Sequence, residues 1–292
     1  MKDLGAAAEF LGIKIKRNAD QIFLSQQRYA EQFLHQADLS RCNPLVNPSC
    51  TKWPADAPTV SSLQDATLYR RLTGSLQYLT ITRPDIAFSV NQLSQHMHDP
   101  QQKHAYMLKR LLRYIKGTSD FGIPITKFNL RLTSYSDADW AGDPTSRKST
   151  TGFCSFLGDT LISWTVKKQT TVARSSTESE YRALAALTAD LIWIRRLLKE
   201  FQIPQDSPST IFCDNTSAIA LANNPVFHAR TKHIEIDHRF IRDLIHNNTI
   251  CILPISTVDQ TADILTKSLS TSRFQFLRNK LTVRQVPSVC RR

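Results

Sequence analysis

The chain has 292 residues, 41% of them hydrophobic and 21% charged, which supports a packed core, argues against bulk disorder and sets an expectation of about two domains. Its eight glycines are too few for a glycine-rich dinucleotide fold, a collagenous repeat or long flexible linkers. Lys and Arg outnumber Asp and Glu by 37 to 25, a net charge of +12 that favours a polyanionic partner, nucleic acid ahead of an anionic membrane.

Residues 1–40 read as a hairpin followed by a helix. Leu11, Ile13 and Ile15 alternate with Lys14 and Lys16, Asn18-Ala19-Asp20 supplies turn chemistry, and Ile22-Phe23-Leu24 returns. Tyr29, Phe33 and Ala37 then fall at helical spacing. Pro44, Pro48, Pro54 and Pro58 mark a loop or linker. Residues 63–118 read as three helices. The first carries Leu68, Leu72, Leu76 and Leu79, and the second starts at Pro84 with Ile86, Val90, Leu93 and Met97 on one face. The third has Asp99 as expected N-cap, Pro100 in its first turn and Gly117 just past its end. Cations including Lys109 and Arg113 surround its apolar stripe, either as a solvated face or as phosphate contacts.

From 126 the pattern changes. Strands are expected at Leu130–Asp137, Thr151–Leu157 and Leu161–Val166, then a long helix from Ser175 to about Phe201. A strand at Thr210–Cys213, helices at Asn215–Ala222 and about His233–Asn247, a strand at Ile250–Ile255 and a last helix from about Asp259 follow. Three strands and then alternating helices and strands make a mixed sheet with helices packed on it. The expected domains are 1–60, 61–125 and 126–282, with a basic tail at 283–292. No apolar run approaches the ~18–20 residues of a membrane span, and the N-terminus lacks a secretory signal. The six cysteines form no C-x-x-C pair, so no zinc site follows; they read as reduced thiols of a cytoplasmic or nuclear protein that is not secreted.

Four acids sit where this topology can bring them together: Asp137 at the end of the first strand, Glu180 in the first turns of the long helix, Asp214 after Ile211-Phe212-Cys213, and Asp263 on the last helix. Ser175-Ser176-Thr177-Glu178 fits a capping box, which gives Glu178 a structural task. Glu180 instead precedes Leu184, Leu187 and Leu191 on the inward face, where a carboxylate needs a partner or a metal. Thr257 and Gln260 can form another box, placing Asp259 in the first turn and Asp263 a turn later. Asp137 is preferred over Asp139, which shares its strand face, and Asp214 competes with an N-cap role. Clustered carboxylates repel by about 4 kcal/mol per pair at 4 Å and an effective dielectric near 20, so they require cations. All-oxygen ligation suits Mg²⁺ or Mn²⁺, and two such ions support phosphodiester cleavage. Arg147 and Lys148 in the first strand loop, and Lys167, Lys168 and Arg174 beside the expected active face, are candidate phosphate contacts, whereas Trp140, Trp164 and Trp193 are expected in the core.

The chain resembles the polymerase end of copia-type retrotransposon polyproteins. The resemblance rests on Phe10-Leu11-Gly12-Ile13, Tyr69-Arg70-Arg71-Leu72-Thr73-Gly74, Thr82-Arg83-Pro84-Asp85-Ile86 and Leu112-Arg113-Tyr114-Ile115-Lys116-Gly117. It continues through Tyr135 to Gly142, Ala173 to Tyr181, Cys213-Asp214-Asn215, Thr231-Lys232-His233-Ile234 and Asp259 to Asp263. It implies a ribonuclease H-like domain behind a partial reverse transcriptase palm and a helical thumb or connection. It also implies a D-E-D-D site that falls on Asp137, Glu180, Asp214 and Asp263, two Mg²⁺ or Mn²⁺ ions, and an RNA–DNA hybrid whose RNA strand is cut. The Tyr-x-Asp-Asp signature is absent, so no polymerase activity is expected. The family's His before Phe-Ile-Arg is Arg239 here, with His238 one place earlier. The competing expectation is a non-catalytic remnant that binds nucleic acid. An integrase is disfavoured because its Glu comes last in the order of acids.

Overall fold

The computed structural model describes residues 5–51, 65–127, 129–224 and 234–287. The expected features at Pro54, Pro58 and His233 lie outside the described residues. In chain order the elements are β1 (Glu9–Phe10), β2 (Ile13–Arg17), β3 (Gln21–Ser25), α1 (Gln27–Gln36), α2 (Ala66–Leu79), α3 (Ala87–Ser94), α4 (Gln102–Gly117) and β4 (Phe121–Thr126). Then follow β5 (Leu132–Asp139), β6 (Thr150–Leu157), β7 (Thr160–Lys168), α5 (Ser176–Glu200), β8 (Ser209–Cys213), α6 (Thr216–Asn223), α7 (Glu235–His246) and β9 (Ile250–Pro254). A 3₁₀ turn at Thr261–Leu265, α8 (Thr271–Lys280) and β10 (Arg284–Gln285) are the last elements among the described residues. Two compact units result, one of residues 1–127 with 268–292 and one of residues 128–267.

In the first unit, five antiparallel strands run in the order β1-β2-β3-β4-β10. The expected hairpin is β2–β3, closed by the Asn18 N–H donating to the Gln21 carbonyl at 2.9 Å. β4 is an unforeseen strand, because Pro124 argues against strand from sequence. Proline is tolerated because β10 pairs only with Phe121 and Gly122, leaving that side of Pro124 unpaired. The same pairing, with the Phe274 ring edge-on to Tyr114 at 5.4 Å, assigns 268–285 to this unit and not to the expected 126–282 domain.

The helices bury the expected leucine stripes, with Leu72, Leu76, Leu108, Leu111 and Leu112 at 0% exposure. Among them lies a buried ion pair. Arg83 is 1% exposed and grips Asp85 in a fork, Nε to Oδ1 at 2.9 Å and Nη2 to Oδ2 at 2.8 Å. Its remaining donors reach the Thr118 carbonyl at 2.6 Å and the Thr118 hydroxyl at 2.8 Å, and the Tyr114 hydroxyl donates to Asp85 at 2.6 Å. A bidentate pair whose three nitrogens are all hydrogen-bonded can survive desolvation; a broken one cannot.

The start of α4 differs from expectation. Gln101, not Asp99, is the N-cap: its side chain accepts from the His104 N–H, and the Gln101 N–H donates to His104 Nδ1 at 2.9 Å. Asp99 only accepts from the Gln101 amide at 2.7 Å. The helix also runs through Gly117, where a Cβ would meet the Pro44 Cβ at 2.8 Å. His104 is buried and stacks on His96 at 3.8 Å.

In the second unit the sheet order is β7-β6-β5-β8-β9, antiparallel from β7 to β5 and parallel from β5 to β9. This is the mixed five-stranded sheet with flanking helices that the sequence predicts. Leu184, Leu187, Leu191 and Ile194 of α5 pack on Leu132, Phe153 and Ile211 of the sheet. His238 of α7 is a packing residue: its Nε2 lies 3.1 Å from the Leu221 carbonyl and its ring stacks on Tyr181. The expected last helix is two pieces. Thr266 ends the 3₁₀ turn and Ser270 caps α8 separately by accepting from the Arg273 N–H. No described helix is long and apolar enough to cross a membrane, and the five described cysteines are unbridged.

Two outcomes follow. Asp85→Ala leaves the Arg83 guanidinium buried and unpaired, and should lower unfolding free energy by about 3–5 kcal/mol in a denaturant titration. An Arg83→Met/Asp85→Ala double variant should recover part of that loss. His104 is the other test: burial, then His96 and Lys103, push its folded pKa from 6.5 down to about 4. The unfolded chain therefore binds the extra proton between those values, and stability falls as pH drops through that window. His104→Gln keeps the cap acceptor without the titration, so its stability should fall less steeply from pH 6.5 to 4 than the wild type's. Equal slopes would exclude the assignment.

Candidate metal centre

The parallel pairing of β5 and β8 sets the geometry. Tyr135 pairs with Phe212, their rings stacked at 5.2 Å, and Asp137 and Asp214 each lie two residues further along. Asp137 is 1% exposed; its Oδ2 accepts from the Thr266 hydroxyl and its Oδ1 from Lys267 Nζ at 3.2 Å. Burial pushes its carboxyl above the ordinary range, and Lys267 opposes that rise. β5 continues past the expected end through Asp139, which has a different task. Asp139 Oδ1 accepts from the Gly142 N–H at 3.1 Å and the Thr150 N–H at 3.2 Å, closing the β5–β6 connection.

On α5 the two glutamates divide as their positions require. Ser175 caps the helix by accepting from the Glu178 N–H at 3.2 Å. Glu178 returns to the Arg174 N–H at 2.9 Å, one residue before the expected box partner, and pairs with Arg182 at 2.7 Å. Glu180 points inward at 6% exposure, and its Oε2 has no hydrogen-bond partner. Burial, with Asp137 and Asp214 as neighbouring charges, pushes its carboxyl up to about 9.

Asp214 is not the cap of α6. Asn215 is, accepting from the Ala218 N–H at 2.9 Å, which leaves Asp214 to accept from the Thr257 hydroxyl at 3.1 Å. Asp263 sits on the 3₁₀ turn and not on an α-helix, and accepts from Lys267 Nζ at 2.7 Å. The expected Thr257/Gln260 box is replaced by Gln260 alone, which caps the turn, while Asp259 lies before it, bonded to Ser256. Gln260 Nε2 also donates to the Ser136 carbonyl at 3.0 Å, tying the turn to β5. Opposite Asp137 on β6 is Gly152, where a Cβ would stand 2.5 Å from Thr266 Cγ2 and 2.8 Å from Leu265 Cβ. The missing side chain is what lets the Asp263 turn close on the sheet.

The structure thus brings Asp137, Glu180, Asp214 and Asp263 into one electrostatically connected group. Cys213 adjoins it, with donor atoms of Glu180, Cys213 and Asp214 all within 4.8 Å of one another. Gly152, Cys213, Gln260, Thr266 and Lys267 were not singled out for this site by sequence reasoning. Only Lys267 left a signal, four residues after Asp263.

The expected phosphate contacts are dispersed. Arg147, Lys167 and Arg174 are exposed, Lys148 is half-buried, and Lys168 pairs with Asp143. Lys167 and Lys168 border a cleft of about 670 Å³ together with Thr151, Phe153, Gln169 and Arg182. Lys109 and Arg113 belong to the first unit, where Arg113 Nε donates to the Asn43 carbonyl at 2.7 Å. Two tryptophans expected in the core are outside it: Trp140 is 51% and Trp193 61% exposed, while Trp164 is half-buried. Trp140 is held by its indole N–H donating to the Ala173 carbonyl at 3.1 Å.

No protein-family model matches the chain. A retrovirus-related Pol polyprotein from transposon RE2 of Arabidopsis thaliana is 46% identical over 282 residues, covering 96% of this chain and 19% of the polyprotein. The corresponding polyprotein from transposon RE1 of the same plant is 45% identical over 288 residues, covering 98% of this chain and 20% of the polyprotein. The chain therefore spans about a fifth of the length of these curated relatives. Among solved structures, a ribonuclease H1 isolated from compost matches 47% of this chain and 93% of its own, at 14% identity and a TM-score of 0.38. The near-complete coverage of this chain at this identity shows that it belongs to the copia-type retrotransposon Pol polyprotein family and corresponds to its C-terminal part.

Proposed function

We propose that the unit of residues 128–267 is a metal-dependent endonuclease that hydrolyses the RNA strand of RNA–DNA hybrids, with Asp137, Glu180, Asp214 and Asp263 holding two Mg²⁺ or Mn²⁺ ions. The observation that carries this reading is Glu180: a carboxyl 6% exposed, beside two other acids, whose Oε2 meets no N–H or hydroxyl donor and has only the neighbouring Asp137 carboxyl to share a proton with. Such a group is tolerated where a ligand completes it. The donor set fits a hard dication, since carboxylate oxygens dominate and no described histidine adjoins them. When bound, the ions supply activation of the attacking water and stabilisation of the leaving 3′ oxygen.

The chain's own groups orient the ligands. Thr266 and the Ala138 N–H fix Asp137 and Glu180, and Thr257 and Gln260 hold Asp214. Arg147, Lys148, Lys167, Lys168 and Arg174 are proposed to contact the hybrid's phosphates, and Lys109 and Arg113 to do so from the first unit. On the family resemblance, residues 1–60 and 61–125 are a distal palm and a thumb or connection, and no polymerase activity is part of the proposal.

Purified full chain should cleave a labelled RNA–DNA hybrid in Mg²⁺ or Mn²⁺ and lose all cleavage in EDTA. Glu180→Gln and Asp214→Asn should each lower the rate by more than the ~10–100-fold that loss of an outer-shell partner costs. Glu180→Gln should also raise the unfolding midpoint in EDTA at neutral pH, because it keeps the shape while removing a carboxyl that the fold holds protonated and the unfolded chain ionises. Hybrid binding without metal-dependent cleavage would instead establish the non-catalytic remnant. Gly152→Ala tests the supporting geometry: it should weaken Mn²⁺ binding by displacing the Thr261–Leu265 turn, with the circular dichroism spectrum unchanged.

A further inference from the structure

Lys267 occupies one flank of the acidic group. Its Nζ lies 2.7 Å from Asp263 Oδ1 and 3.2 Å from Asp137 Oδ1, bridging acids 126 positions apart in sequence (263 minus 137). Its side chain is 38% exposed, while those of Asp137 and Asp263 are 1% and 6% exposed, so the ammonium is the solvent-facing member of the trio. Among the described contacts it makes no bond to Glu180 or Asp214, whose flank keeps the unpartnered Oε2. One side of the site thus carries its own cation and the other does not.

We infer that Lys267 is a resident counter-cation: it holds Asp137 and Asp263 together in the metal-free protein, and a divalent ion bound to those oxygens must displace it. The inference rests on the metal-ligand reading of the four acids. Two cations sharing the same two oxygens repel, so the lysine raises the metal concentration that this flank needs. A lysine suits the task better than an arginine fork. It is a point charge on a flexible stem, with an exposed route to solvent along which it can leave. The reciprocal consequence is that the metal-free site is not left as a bare acidic cavity, which protects the fold when metal is scarce.

The test is Mn²⁺ binding by the full chain, followed by the loss of the free-ion electron paramagnetic resonance signal, with thermal unfolding in EDTA measured in parallel. Wild type, Lys267→Met and Lys267→Arg are compared. Lys267→Met should bind Mn²⁺ about tenfold or more tightly, the order of effect expected from removing one close like charge. It should also unfold at a lower temperature in EDTA and gain more from added Mn²⁺ than wild type does. Lys267→Arg should stay near wild type on both measures. If the Met variant does not fold in EDTA, Lys267→Gln, which keeps a donor without the charge, carries the same comparison. Equal or weaker Mn²⁺ binding by the neutral variants, alongside normal binding and hybrid cleavage by wild type, overturns this inference alone. No Mn²⁺ binding by any of the proteins overturns it together with the nuclease reading.

Discussion

Mutual repulsion among buried carboxylates is the constraint around which the second unit is built. Hydrophobic burial alone would keep Asp137 and Glu180 apart, each in water. The fold places them together at 1% and 6% exposure instead. Strong local order is needed to impose this. The parallel β5–β8 ladder fixes Asp137 beside Asp214, the apolar face of α5 anchors Glu180, and Gln260 ties the Asp263 turn to the Ser136 carbonyl. Gly152 completes the arrangement by removing a side chain, since any Cβ there collides with Thr266 and Leu265. The site depends on backbone spacing as much as on its acids.

What the sequence made legible was whatever periodicity controls. Glu180 was separable from Glu178 because helix faces repeat at a fixed angle, and the structure places one inward and the other on the Ser175 cap and Arg182. The mixed sheet was legible for the same reason, through alternating strands bounded by turns. Features decided by a choice among neighbouring polar residues were not legible. Asn215 and Asp214 both qualify as a cap, and only the direction of β8 decides that Asn215 takes it. Asp99, Gln101 and Ser or Thr elsewhere have equal claims on a helix start until the chain's entry angle is known. Trp140 and Trp193 lie outside the core because apolar character alone does not specify which face of an element is covered. The last helix broke at Thr266 because the 261–265 segment serves the acidic site while 271–285 completes the other unit's sheet.

The first unit gives a physical reason for one motif that resemblance alone supplied. Thr82-Arg83-Pro84-Asp85-Ile86 contains a cation and an anion on either side of a proline, unremarkable in composition. In three dimensions they are a buried fork whose spare donors end on Thr118 and whose spare acceptor ends on Tyr114. Pro84 opens a short 3₁₀ turn, Pro84–Ile86, with Arg83 as the residue before it and Asp85 in its first turn.

The two units therefore show opposite uses of buried charge. Arg83 and Asp85 balance each other, +1 against −1, and every polar atom is engaged, so that site needs nothing from outside. The acidic group does not balance: four carboxylates against the single Lys267 ammonium leave a formal deficit of three charges if all are ionised, and Glu180 retains an open oxygen. Lys267 plus one divalent ion leaves that deficit uncorrected by one, whereas two divalent ions without the lysine cancel the four carboxylates. With two divalent ions bound, retaining the lysine would leave an excess of one positive charge, so charge balance at double occupancy favours its displacement, and its 38% exposed side chain has access to solvent.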